Sequence, residues 1–147
     1  MYQTKRWQML PLLLTLIIAL AGCGGQATAP AAAPAEAGEA AVLDLAVNLD
    51  PAAVEELYQR NDVVILDVRE DSEYNAGHIP GATLVPLGQI PNRLDEIPKD
   101  KTVIAVCRSG NRSSQATNFL RQQGFDNVHN MTGGMNAWSQ AGYEIEK

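Results

Sequence analysis

Two short runs, VVILD at 63–67 and TVIAV at 102–106, are almost wholly apolar and rich in β-branched residues. Such side chains favour extended backbone, and a strand that lacks polar alternation has to be covered on both faces. The segments around the runs supply the cover. Asp50 and Pro51 offer an N-cap and a first helical residue to a stripe of Val54, Leu57 and Tyr58. Ala116, Phe119 and Leu120 form a second stripe, beginning near Arg112 and closed by Gly124. ATLV at 82–85, which stops at Pro86, and NVHN at 127–130 predict two more short strands. Ala137, Trp138 and Ala141 share one face of a last helix ending at Gly142. Strands alternating with helices predict an α/β layer fold around a mainly parallel sheet.

The 147 residues divide into three parts. Lys5 and Arg6 precede the apolar run MLPLLLTLIIALAG, the pattern of a secretory signal, with an uncleaved anchor as the alternative. LAGC at 20–23 resembles the lipobox of bacterial lipoproteins. That resemblance implies removal of residues 1–22 and acylation of Cys23, which would hold the chain at the membrane through its lipid. Gly24 in place of the Asp of the inner-membrane retention signal favours an outer leaflet. GGQATAPAAAPAEAGEAA, from 24 to 41, has too few large apolar side chains to offset its ordering entropy, so 23–42 reads as a lipidated cysteine and flexible tether. Residues 43–147 then form the folded domain, exported and lipid-anchored at the cell envelope, facing the periplasm or the outer surface. The net charge is −6, and losing Lys5 and Arg6 makes it more negative still. That balance argues against nucleic acid as a partner.

Beyond Cys23 the only cysteine is Cys107, in AVCRSGNRSS at 105–114. It follows the second buried strand, where open α/β sheets place their ligand crevices. The segment Arg108, Ser109, Gly110, Asn111, Arg112 leads directly into a helix, so loop amides and the helix start can converge as an anion cradle. Gly110 relaxes the backbone for that curl. The dipoles, with Arg108 and Arg112 nearby, are expected to lower the Cys107 pKa and yield a thiolate nucleophile.

LDVREDSEYNAGHIPGATLVPL at 66–87, CRSGNRS at 107–113 and GGMNAWSQAGY at 133–143 resemble the single-domain rhodaneses, the thiosulfate sulfurtransferases, over nearly all of 43–147. The resemblance implies a rhodanese-like, mainly parallel five-stranded sheet with helices on both faces, and a catalytic cysteine in a six-residue loop, here Cys107 to Arg112. Related cell-cycle phosphatases carry C-x5-R, which admits a phosphate; this chain has C-x4-R, a tighter ring suited to one sulfur atom on the cysteine. A Cys107 persulfide formed from thiosulfate or a persulfide donor, and discharged to cyanide, a thiol or a protein, is the implied chemistry. The loop residues 108–112 would bind donor and persulfide. Arg108 directly after the cysteine favours thiosulfate over mercaptopyruvate as donor.

Asp67 and Arg69 match the family's Asp-x-Arg pair, with bracing of adjacent loops as the structural reading and support of the site as the functional one. His78, in a tight turn, reads mainly as a structural hydrogen bonder, and Trp138 as core. No spacing of cysteines and histidines fits a metal and no nucleotide-binding glycine fingerprint occurs, so no cofactor is expected. A persulfide relay serving another exported protein is the alternative function, and a phosphatase or arsenate-reducing enzyme is disfavoured by the short loop.

Overall fold

The computed structural model describes residues 43–147; the expected leader and tether, with Cys23, lie outside the described residues. Five strands, β1 (Asn48–Leu49), β2 (Val63–Asp67), β3 (Thr83–Leu84), β4 (Thr102–Val106) and β5 (Val128–Met131), form one sheet in the order β1-β5-β4-β2-β3. Every pairing is parallel. Four helices accompany it: α1 (Pro51–Leu57), α2 (Asp71–Ala76), α3 (Asn111–Gln122) and α4 (Gly134–Gln140), with 3-10 turns over Leu87–Asn92 and Leu94–Glu96.

The two apolar runs are the central strands β2 and β4, paired from Val63 opposite Thr102 to Asp67 opposite Val106. Their side chains alternate between two separate cores, as strand geometry requires. On one face Val63, Ile65, Ile104, Val106 and Met131 pack with Val54 of α1 and with Met135 and Trp138 of α4. On the other, Leu66, Val103 and Val128 pack with Ala116 and Leu120 of α3 and with Ile90 and Ile97 beyond β3. Each Val, Leu, Ile or Met among them that is fully buried contributes roughly 1.5–3 kcal/mol relative to exposure. The expected sheet, covered on both faces, is therefore present.

Three features differ from the sequence reading. The edge strand β1 went unseen because two residues carry no periodicity; it exists through pairing with β5, where Asn130 N–H donates to Val47 O (2.7 Å) and Thr132 N–H to Leu49 O (2.9 Å). Helix α2 also had no apolar stripe to announce it, and it buries no residue. It is started instead by a capping box in which Glu70 and Glu73 each accept from the other's backbone N–H. Ala141 lies just past the end of α4 and is exposed, so the buried face of that helix is Met135 and Trp138 rather than Ala137, Trp138 and Ala141.

Asp50 caps α1 as expected, its carboxylate accepting from Ala53 N–H at 2.9 Å. α1 and α4 meet where Trp138, fully buried, packs edge-to-face on Tyr58 (5.6 Å between centroids) and donates its indole N–H to Glu144 O at 2.8 Å. Trp138→Ala is expected to lower the free energy of unfolding by about 3–5 kcal/mol, the usual range for truncating a buried aromatic residue, read from the urea midpoint of residues 43–147.

Candidate active site

Parallel pairing of β2 and β4 brings their carboxyl ends level, so the segments after Asp67 and after Val106 lie side by side, and Val68 N–H donates to Val106 O at 2.9 Å. From Val106 the chain turns through Cys107–Gly110 and enters α3 at Asn111, one residue earlier than expected. The turn needs Gly110: its φ is +92°, and a Cβ there would stand 3.0 Å from the Gly133 nitrogen. Inside the turn lies Cys107, only 1% exposed and packed against the α3-side core. Its Sγ accepts the Gly110 N–H at 3.1 Å, and the Ser113 hydroxyl oxygen is 3.4 Å away.

Burial pushes the Cys107 thiol up, but hydrogen bonds outweigh it. The Ser113 hydroxyl and the backbone amides of Ser113, Ser109 and Gly110 together hold the thiol below its ordinary pKa. The expected direction stands, and of the two expected causes the dipoles carry it: hydrogen bonds from the loop and the helix start lead, rather than guanidinium charge. The sequence reading assigns Ser113 no role. Its signal was available, since it sits in the first turn of the helix that the cysteine loop enters.

The loop's carbonyls are held from the other side. Met135 N–H donates to Cys107 O (2.8 Å) and Asn136 N–H to Arg108 O (3.0 Å), so the start of α4 clamps the first two loop peptides. In a trans peptide C=O and N–H point in opposite directions. Carbonyls turned toward α4 therefore turn the amides of residues 108 and 109 away from it, and the Ser109 amide is among those that act on the sulfur. Gly134, with φ +56°, makes the approach possible, because a Cβ there would strike Cys107 O and come within 2.7 Å of the Arg108 carbonyl carbon. The Gly-Gly pair at 133–134 was the sequence trace of this contact.

Arg112 does not present a free guanidinium to the ring. It is held in a two-pronged pair by Glu73 of α2, at 2.7 and 2.8 Å, and this pulls the Glu73 carboxyl down to about 2. The sequence marks Glu73 only by its position three residues after Glu70. Arg108 is exposed and forms no side-chain hydrogen bond among the described residues. It lines an open cleft of about 420 Å3 with Arg69, Glu73, Met135 and the tail residues Ile145 and Lys147. Ser109 and Asn111 line a second cleft, of about 280 Å3, on the β5 side of the loop.

Asp67 and Arg69 form a closed, buried brace: Arg69 Nη2 donates to Asp67 Oδ2 at 2.6 Å and to Gly77 O at 2.9 Å. His78 stacks on Tyr74 (3.7 Å between centroids), its Nδ1 lies 3.1 Å from Tyr74 O, and its backbone pairs with Glu146. Both arrangements secure loops around the ring, and neither side chain hydrogen-bonds to the cysteine loop. Among the described residues no three His, Cys, Asp or Glu side chains gather as a metal site.

The family model for the rhodanese-like domain matches residues 50–141. The chain belongs to the rhodanese-like family. Among curated rhodanese-like relatives, a sulfurtransferase of Allochromatium vinosum is 45% identical over 89 residues, 60% of this chain and 83% of its own length. The thiosulfate sulfurtransferase GlpE of Pseudoalteromonas translucida is 41% identical over 86 residues, 58% of this chain and 82% of its own. The crystal structure of a rhodanese-like domain protein from Staphylococcus aureus superposes with a TM-score of 0.60 at 35% identity, covering 68% of this chain and 98% of that one.

The Glu73–Arg112 pair makes stability depend on pH in a defined sense. A folded-state carboxyl held at about 2, against an ordinary value of 4.5, contributes in full above pH 4.5 and loses its contribution as the pH falls toward 2. Glu73→Gln is expected to be less stable than the parent at neutral pH, with the gap narrowing steadily as acid is added. Urea unfolding across that range measures it.

Proposed function

We propose that the domain is a sulfurtransferase that takes a sulfane sulfur from thiosulfate and holds it on Cys107 as a persulfide until a thiophilic acceptor removes it. One observation carries the reading: a thiol with a depressed pKa lies inside a ring whose N–H of Gly110 points at its sulfur. The Cys107 thiolate attacks the outer sulfur of thiosulfate; the S–S bond of the donor breaks and sulfite leaves with the electron pair. The acceptor, cyanide or a thiolate, then attacks the outer sulfur of the persulfide. The second S–S bond breaks and its electrons return to Cys107. Arg108, exposed at the cleft, draws in the dianionic donor, while ring amides meet the negative charge on sulfur. Because Arg112 is already paired with Glu73, its part is to fix the loop where it meets α2.

Cys107 is the one cysteine among the described residues, so no neighbouring thiol there can resolve the persulfide. Sulfur leaves only to an outside molecule, which is also what a relay to another protein requires. Intact mass measurement tests the proposal. Thiosulfate is expected to add the mass of one sulfur atom to the parent and none to Cys107→Ser, and cyanide is expected to remove it with release of thiocyanate. A parent that gains no sulfur ends the thiosulfate reading; one that gains sulfur only from a protein persulfide supports the relay.

The proposal extends to placement. Acylation of Cys23 after removal of residues 1–22 tethers the domain to the cell envelope through the 23–42 segment. Metabolic labelling with a radioactive fatty acid in a bacterial host is expected to mark the parent chain and leave Cys23→Ser unmarked. Equal labelling of the two chains would overturn the lipid anchor.

A further inference from the structure

The Ser113 hydroxyl faces more acceptors than it can serve. Its oxygen lies 2.7 Å from Asn130 Oδ1, 3.1 Å from Gly110 O and 3.4 Å from Cys107 Sγ. A hydroxyl has one proton to donate. The shortest contact is to Asn130, so the amide oxygen competes with the sulfur for that proton. The amide is also engaged at its other end: Asn130 Nδ2 donates to Asn48 Oδ1 at 2.8 Å across the β1–β5 pair, with the amide oxygen toward Ser113. Asn130 is buried, at 4% exposure.

We propose that Asn130, oriented by Asn48, is a positioning residue that competes with the Cys107 sulfur for the single proton of Ser113. The inference rests on the reading of Cys107 as the nucleophile and adds a control on its charge. With the hydroxyl turned to Asn130, Ser113 offers the sulfur a lone pair and suits the protonated thiol. With the hydroxyl turned to Cys107, it stabilises the anion. The turn matters in the second half of the proposed cycle. As the acceptor's lone pair forms a bond to the outer sulfur, the persulfide S–S bond breaks and the electron pair falls on Cys107 Sγ. The hydroxyl then rotates from Asn130 to the new anion, and no proton changes its parent oxygen. A donor that swings toward charge only as it appears stabilises the departing thiolate without stabilising the uncharged inner sulfur of the persulfide.

The charged groups around the sulfur do not share this hydrogen-bond chain. From the loop comes Arg108; from α3, Arg112, closed on Glu73 of α2 with Glu70 nearby; from the end of β2, the closed Asp67–Arg69 brace. His129 on β5 alternates with Asn130, so it faces the opposite side of the sheet, and its Nδ1 is 2.8 Å from Ala46 O. None of these hydrogen-bonds to Ser113 or Asn130.

The test is the pH dependence of Cys107 alkylation by iodoacetamide, which needs neither thiosulfate nor an acceptor. Ser113→Ala is expected to raise the midpoint and Asn130→Leu to lower it, each by about half a pH unit, the order expected of one net hydrogen bond. The double variant is expected to match Ser113→Ala alone, since Asn130 acts only through the hydroxyl, and Ser113→Thr is expected to restore the parent midpoint. Should Asn130→Leu fail to fold, Asn130→Ala, which also lacks the acceptor, carries the same expectation. A midpoint that stays or rises in the Asn130 variant overturns the proposal, as does an equal shift with and without Ser113. The sulfur-transfer reading is judged separately, by the mass gained from thiosulfate.

Discussion

Two hydrogen bonds from the first amides of α4 to the carbonyls of Cys107 and Arg108 govern the chemistry of this molecule. They turn the Arg108–Ser109 peptide so that its N–H serves the sulfur, and they form because Gly134 lets the helix backbone come against the loop backbone. α4 is in turn held by Trp138, wedged among Tyr58, Tyr143 and the α1-side core. The sulfur site and the apolar core are thus one mechanical unit. A change that loosens the Trp138 side of the domain reaches Cys107 through the backbone, without touching any residue of the loop.

Electrostatically the ring works with dipoles more than with ions. The whole chain is acidic, with a net charge of −6, and Arg112 near the ring is matched by a carboxylate. What remains aimed at the sulfur is a set of amides and one hydroxyl. Fixed dipoles at contact distance need no counter-ion and are little screened by salt, unlike exposed charge pairs. The free guanidinium of Arg108 then has a separate task, at the cleft where an anion arrives. Asp67–Arg69 and Glu73–Arg112 carry their charges in closed pairs and serve as braces between the loops after β2 and β4. Their charges shape the frame rather than the reaction.

Much of this was legible from short range information. Uniform β-branched runs at 63–67 and 102–106 announce strands covered on both faces because no alternation remains to face water. Asp50 with Pro51, and Gly124 after the Leu120 stripe, mark helix ends through local backbone chemistry. Cys107, with Arg108, Ser109 and Gly110 after it, reads as a thiol at the end of a buried strand and at the start of a helix, and the fold puts it there. Elements without periodicity escaped: β1 has two residues, and α2 buries none, so neither leaves an apolar pattern to read.

The sequence by itself determined the layers of the fold and the one cysteine at the crevice of the sheet, because burial on both faces and strand-end placement follow from residue type and order. It could not determine who bonds to whom around that cysteine. Glu73 meets Arg112 across 39 positions, and Asn130 meets Asn48 across 82. Such partners are chosen when the sheet order brings β1, β5 and β4 together and levels the ends of β2 and β4. Whether a hydroxyl or guanidinium near a thiol serves the sulfur, or is already taken by a neighbour, is decided by that packing alone.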